Sequence, residues 1–562
     1  MGLFVKGSLF SRGIQCVCIF FVSVVVVTHW SGTETAPALA PWADPAKGLG
    51  GVEGADRPAW SENFLLYGYD LEPYPLDPGP HLFIDWRYML PGRTSYYFAD
   101  GAEAPRYDGD PARLGEIWGR EDQTPYGIRL ETQPAEKTGI VLPNDQPWEY
   151  CLAYHTLLHD NGKYRLWYEA IAPRDTGIEG QLCLAESEDG LHWVKPDLGI
   201  VEFKESKANN IVYGPAISGH SFHGSSVFID PTAPPEARYR LAYMCGGTEQ
   251  EIADLKARSP KSVDPYGETK KLLIRTAFSP DGIHWTPSPE PLLAHMSDTQ
   301  TTLYYDTILK RYVGFFRMAH MNHRAIGRCE STEMKDWPMP EVCLWPNPFD
   351  GPFDDYYING YTLYPGTRSM HFMLSTIFRR DLDVTNIRVA SSMDGRTWEW
   401  LPGGPVVEPG KEGTWDGGCL FGGINLVELP GDLVAIPYVG YAYPHKFPRY
   451  DPHLGNIGLA TWTKERLVAL VADEEGEFWT TPLKAKGERL YLNYEAPRNG
   501  YVKVEIQGGD GRKLENCDLL TGNQVRKEVT WKGASGIGVK PGESFTLHIK
   551  MKAAKLYSFE LR

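Results

Sequence analysis

Ser187-Glu188-Asp189-Gly190-Leu191-His192-Trp193 is one of three copies of a Ser-x-Asp-Gly-x-x-Trp turn. The others are Ser279-Pro280-Asp281-Gly282-Ile283-His284-Trp285 and Ser392-Met393-Asp394-Gly395-Arg396-Thr397-Trp398, and a worn fourth copy reads Ser331-Thr332-Glu333-Met334-Lys335-Asp336-Trp337. Each follows an apolar, alternating run, so the repeated unit is a sheet, and recurrence of this kind marks a repeat architecture. The residue types have local roles: Asp and Ser accept bonds from nearby backbone N–H groups, Gly takes φ > 0, and Trp packs between sheets. Four copies cannot all face one site, so the turn reads as structure and not as catalysis.

Working outward from the turns, the chain repeats one plan from Trp148 onward. A run headed by an acid or His is followed by a second run such as Tyr164-Arg-Leu-Trp-Tyr168-Glu169, a third that enters the turn, and a fourth that leads away. The units open near Glu149, His220, Asp298, Asp355 and Asp416. Five units of about four strands each predict an all-β, five-bladed β-propeller, a ring that protects its sheet edges. After the acidic stretch Asp473-Glu-Glu-Gly-Glu477, alternating strands without helices predict a C-terminal β-sandwich. The expected division is 1–40 signal peptide, 41–80 leader, 81–482 propeller and 483–562 sandwich.

Composition agrees with many short strands joined by tight turns: 12% of the 562 residues are aromatic, with 58 Gly and 44 Pro. The formal net charge of −16 argues against a nucleic-acid partner, because phosphate binding needs an excess of Lys and Arg. A local basic pocket remains compatible with an acidic carbohydrate. Lys6 and Arg12 precede an apolar run over 14–27, with small residues at Ala36, Ala38 and Ala40, which reads as an export signal. The run is shorter than the ~20 residues of a spanning helix. A secreted or periplasmic protein is expected, with no stable membrane partner unless this segment stays uncleaved, since Pro41 follows Ala40. Of nine Cys, seven follow the signal, scattered singly and without a Cys-x-x-Cys pair, so neither a zinc ribbon nor a dense disulfide scaffold is supported.

In a propeller the starts of the innermost strands converge on the axis. The acids at that register are Glu149, Asp298, Asp355 and Asp416, with Asp85 in reserve on the first strand-like run, and they are the candidate catalytic carboxylates. His220 and His223 hold the matching place in the second unit. Trp148 and Trp415 are candidates to stack on sugar rings, and Arg317 and His445 to hold a hydroxyl or carboxylate. His220-x-x-His223 and His320-x-x-His323 do not make a metal site on a strand, where i and i+3 face opposite ways. No metal and no cofactor are expected, with a structural Ca2+ in the channel left open by the acids.

The blade count, the acids heading the inner strands and the trailing β-sandwich resemble the five-bladed glycoside hydrolases of families 32 and 43. Leu82-Phe-Ile-Asp85, Trp148-Glu149 and Leu556-Tyr-Ser-Phe559 are similar to secreted family-32-like proteins of environmental bacteria. The Trp-Met-Asn-Asp-Pro-Asn, Arg-Asp-Pro and Glu-Cys motifs of the fructosidases are absent as such, and Cys329-Glu330 reverses the last pair. The repeated turn is similar to the Asp-box of sialidases but lacks a residue between Asp and Gly. The resemblance implies a glycoside hydrolase acting on an oligo- or polysaccharide through paired carboxylates in the axial funnel. The alternatives are a non-catalytic carbohydrate-binding propeller and a propeller lyase or isomerase that uses His and Tyr.

Overall fold

Five four- to five-stranded antiparallel sheets follow one another along the chain, each running from an inner to an outer strand. The inner strands are Cys151–Asp160, His223–Ile229, Thr302–Asp306, Asp354–Ile358 and Cys419–Gly422. The computed structural model describes residues 73–105, 110–447 and 454–562. The expected signal peptide and residues 41–72 of the leader lie outside the described residues. None of the described helices is long and apolar enough to cross a membrane.

The ring closes through hydrogen bonds at every junction between successive blades. Val227 N–H donates to Thr156 Oγ1 (3.2 Å) between the first and second blades, and Thr301 N–H to Gly224 O (2.8 Å) between the second and third. Thr302 Oγ1 donates to Asn359 Oδ1 (3.0 Å), Gly422 N–H to Thr376 Oγ1 (2.9 Å), and Ile424 N–H to His155 O (3.1 Å), which returns the ring to the first blade. The Gln300 side-chain amide donates to both His155 O and Ser225 O (3.1 Å each), so one residue from the third blade pins the first two at the axis.

The outer strand of the fifth blade comes from the N-terminal side of the first: Glu136–Leu142 pairs antiparallel with Asn456–Thr463. This differs from the sequence reading, in which the propeller begins at residue 81. His81–Leu82 pairs instead with the C-terminal strand Ser544–Leu561, and Arg129–Thr132 pairs with Val468–Trp479. The C-terminal residues are strands without α-helices, as expected, but residues 529–531 are not a strand and Ser544–Leu561 is one continuous strand. These strands form a nine-stranded hydrogen-bonded sheet built on Ser544–Leu561 and completed by these N-terminal strands.

The repeated turn connects the third strand of a blade to the fourth. Asp281 Oδ1 accepts from Ile283 N–H (2.9 Å) and His284 N–H (2.8 Å), Ser279 Oγ accepts from Gly282 N–H (2.9 Å), and Trp285 Nε1 donates to Gly282 O (3.2 Å). Asp189 and Asp394 repeat the two backbone bonds at 2.8 Å each. Gly282 has φ of 77°, and a Cβ there would lie 2.6 Å from Trp167 Cζ2. Trp167 itself is buried and donates across the blade junction to Gly282 O (2.8 Å). The turn therefore fixes blade packing as well as its own loop.

The second blade carries an insertion the strand pattern does not announce. Between its second and third strands stand helices Glu249–Arg258 and Pro265–Lys270. A capping box opens the first, with Thr248 and Glu251 bonded reciprocally, which satisfies otherwise orphaned helix N–H groups.

Candidate active site

The geometry begins with a bulge. In the inner strand of the first blade the register shifts between Ala153 and His155, and Tyr154 sits at φ of 36°. A non-glycine residue in this region is strained by about 1–3 kcal/mol. The bulge turns Tyr154 into a cavity of about 190 Å3 at the mouth of the axis, bordered by His223, Asp298, Tyr357, Phe421 and His445.

Three blades contribute one line of charges. Glu169, on the second strand of the first blade, is fully buried and accepts from His223 Nδ1 (3.0 Å) and Gly224 N–H (2.8 Å). His223 opens the second blade, and its Nε2 lies 3.3 Å from Asp298 Oδ1 and 3.4 Å from the Tyr154 hydroxyl. Asp298 opens the third blade and accepts from Arg317 Nη1 at 3.0 Å. Gly224 permits this approach: its φ is 66°, and a Cβ would stand 2.1 Å from Thr299 O.

Electrostatics follow from this geometry. Burial works to lower the pKa of His223, but the charges and hydrogen bonds of Glu169 and Asp298 outweigh it and raise the group to about 10. The imidazole is therefore a cation at neutral pH. Burial pushes Asp298 upward, yet the His223 hydrogen bond and the charges of Arg317 and Arg324 hold it below the usual carboxylate range. Burial also drives the Tyr154 phenol well above its ordinary value. Arg317, 8% exposed, lies 4.3 Å from the Tyr357 ring centroid, and its Nε and Nη2 have no hydrogen-bond partner among the described residues. His445 is walled by Tyr357, Phe378 and Phe421, with centroids 5.2, 5.0 and 5.2 Å away.

Of the residues nominated from sequence, His223, Asp298 and His445 line this cavity, and Arg317 stands against it. The others lie elsewhere. Glu149 is buried within the first blade, where it accepts from Tyr168 Oη (2.6 Å) and Lys195 Nζ (2.7 Å). Trp148 Nε1 donates to Asn210 Oδ1 (3.0 Å) in the same network. Asp355 is clamped by Arg324 (2.5 Å) and Arg380 (2.6 and 2.7 Å) between the third and fourth blades. Asp416 accepts from Lys137 Nζ (2.7 Å) and Tyr438 Oη (3.2 Å), which ties the closing strand to the fifth blade, while Trp415 stacks on Tyr438. Asp85 is a bidentate partner of Arg87 (2.6–2.9 Å) in the segment paired with the C-terminal sheet. His220 lies 3.9 Å from Glu251 of the inserted helix.

His320 and His323 are not on one strand but face each other across a hairpin. No group of three or more His, Cys, Asp or Glu disposed to hold a metal ion occurs among the described residues.

Glu169, Tyr154 and Tyr357 were not among the nominated residues. For Glu169 the sequence holds a signal: Tyr164-Arg-Leu-Trp-Tyr-Glu169 and Tyr312-Val-Gly-Phe-Phe-Arg317 place an ion at the same register of two second strands. The bulge that aims Tyr154 has no comparable mark.

The fold and this site define a five-bladed β-propeller with an appended β-sheet and an acid–imidazole line at its axis. No family model matches the chain, and no curated protein does. Among solved structures it is similar to one described as a glycoside hydrolase, with 15% identity over 59% of this chain and 92% of the other and a TM-score of 0.40. It is also similar to an N-acetylgalactosamine deacetylase from F. plautii in complex with blood group B trisaccharide (14%, 61% and 97%, TM-score 0.39). A third is described under the GH130 family of mannoside phosphorylases, containing glycoside hydrolases that target beta-1,2 mannosidic linkages in Candida mannan (14%, 59% and 93%, TM-score 0.36). Likenesses this distant do not specify families 32 or 43, and they carry nothing about this chain's chemistry.

Proposed function

We propose that this protein is a carbohydrate-active enzyme that cleaves glycosidic bonds of an oligo- or polysaccharide in the axial cavity. The observation that carries the reading is the Glu169–His223–Asp298 line, joined across three blades and ending on a partly exposed carboxylate. Glycoside cleavage needs a proton donor for the leaving oxygen and a base or nucleophile at carbon. Here the second accessible carboxylate expected from sequence is replaced by an imidazolium, because Glu169 stands behind His223.

In the hydrolytic sequence His223 gives its Nε2 proton to the departing glycosidic oxygen. Asp298, 3.3 Å away and therefore on the same face of the sugar, takes a proton from the water whose oxygen bonds the anomeric carbon on the face being vacated, so the configuration is retained. A resting pKa near 10 makes His223 a reluctant donor. Protonating Asp298 removes one of the two anions that hold that proton, so the two transfers assist each other. The 3.3 Å contact then lets Asp298 return its proton to His223, closing the cycle. The aromatic walls of Tyr357 and Phe421 offer apolar faces to a sugar ring.

A second reading is elimination from a uronic-acid unit. It is favoured by the Tyr154–His223 contact and by the unbonded Arg317 nitrogens, which supply an acid–base pair and a carboxylate-neutralising cation. Export to the periplasm or medium belongs to this proposal and rests on the N-terminal pattern alone.

The test is a screen of plant and algal polysaccharides for released reducing ends and for ultraviolet-absorbing unsaturated products. Hydrolysis is expected to give the first without the second, and Asp298→Asn to lower turnover by about 10²- to 10⁴-fold. Wild-type rates in that variant would refute the site, and unsaturated products would select elimination.

A further inference from the structure

Beside the axial cavity lies a second, wider cleft of about 550 Å3 between the third and fourth blades, lined by Asn322, His323, Arg324, Phe378, Arg380 and Lys446. Its ionisable lining is wholly basic, in a chain whose formal net charge is −16. Beneath it, one buried carboxylate, Asp355, accepts from both guanidiniums and lies 3.6 Å from His323. Burial would push Asp355 up, but Arg380 and Arg324 outweigh it and keep the carboxyl below its usual range. One anion thus stands against two arginines and a lysine whose Nζ makes no ion pair among the described residues. Of the nearby acids, Asp354 and Asp381 face Arg379, while Asp383 stays at the rim, its carboxylate accepting from the Lys446 backbone N–H, which still leaves the two arginines and the lysine in excess over the two carboxylates.

The two cavities share a wall. The Arg324 guanidinium lies 5.1 Å from the Tyr357 centroid and 5.7 Å from that of Phe378. Tyr357 borders the axial cavity, and Phe378 packs on His445. Around the cleft several aromatic rings are exposed. Phe447 follows Lys446 and stacks on Tyr443 at 4.8 Å, Phe353 O accepts from Arg380 N–H, and Trp345 packs edge-on to His320 at the hairpin that bears His323.

We infer that this cleft is a subsite for an anionic substituent, a carboxylate or a sulfate, on the glycan whose scissile bond occupies the axial cavity. The inference rests on the proposed axial reaction and names its substrate class. Arginines held in place by Asp355 keep their geometry before the ligand arrives, and guanidinium suits bidentate recognition of either oxyanion. Lys446 adds a mobile charge at the rim, and the exposed rings give apolar platforms to the sugars flanking the charged one.

The test uses calorimetric titration of the whole protein with three probes of equal length: oligogalacturonate, a sulfated carrageenan oligosaccharide and a neutral cello-oligosaccharide. At least one anionic probe is expected to bind at least 10-fold more tightly than the neutral one, with a preference that falls as salt rises; which one binds separates carboxylate from sulfate. Lys446→Glu, an exposed change that leaves Asp355 paired, is expected to erase most of that preference, and Arg380→Gln to do the same. Equal binding of all three probes, or an undiminished preference in Lys446→Glu, would overturn the inference. Asp298→Asn separates the two claims. Tight anionic binding with no turnover in either wild type or Asp298→Asn would sink the axial reaction and leave the cleft, whereas turnover blind to Lys446→Glu and to probe charge would sink the cleft alone.

Discussion

Replacing Glu169 by Gln tests the axial line at its buried end. The carboxylate approaches His223 Nδ1 to 3.0 Å, so the centres of charge are roughly 4 Å apart. At an effective dielectric of about 20 such a pair interacts by about 4 kcal/mol, or about three pKa units. Removing the charge is expected to bring His223 from about 10 to about 7. Gln Oε1 can still accept from Gly224 N–H, which leaves the amide NH2 toward Nδ1 and favours the neutral tautomer with its proton on Nε2.

The alkaline limb of kcat/KM should therefore move from near 10 in the wild type to near 7 in Glu169→Gln. At pH 9 about one His223 in a hundred would remain protonated in the variant, so the rate should fall by about 100-fold there and little at pH 6. Histidine-selective NMR titration reads the same shift without substrate. The sign for stability follows: a histidine raised from 6.5 to about 10 stabilises the fold fully below its unfolded pKa, and that stability is lost as pH rises through about 10. Denaturant unfolding of the variant should show less of this alkaline loss. An unmoved limb together with an unmoved titration would refute the reasoning.

Two further outcomes concern the frame. Lys137→Met leaves the buried Asp416 carboxylate without its cation and should destabilise the protein by about 3 kcal/mol, read as a lower urea midpoint. Asp281→Ala removes the acceptor for two turn N–H groups and should cost about 1–2 kcal/mol with turnover retained at a permissive temperature; an unchanged midpoint would show that Trp285 and Trp167 alone hold the turn.

The blade count was legible because the bonds that shape the Ser-x-Asp-Gly-x-x-Trp turn are local: Ser279 and Asp281 accept from N–H groups within three residues. The closing strand was not, because Glu136-Lys-Thr-Gly-Ile-Val-Leu142 does not alternate and its partner is more than 300 residues away. The inserted helix does carry a capping box at Thr248 to Glu251, but it stands within a pattern that is otherwise strand. At the site, the starts of the inner strands do hold His223 and Asp298. Glu149, Asp355 and Asp416 share that sequence position, but each is buried against a cation from another segment, Lys195, Arg324 with Arg380, and Lys137, whereas Asp298, paired with Arg317, stays half-exposed. Which acid is buried in this way is decided by tertiary packing.

The closing strand also has a consequence for synthesis. Thr461 Oγ1 donates to Glu136 O across 325 residues, so one half of the seam leaves the ribosome long before the other. At about 5–20 residues per second the early strand waits roughly 15–65 s for its partner. Its sequence suits that wait. Glu136, Lys137, Thr138 and Gly139 put charge, polarity and a flexible link on an edge that would otherwise recruit a second nascent chain.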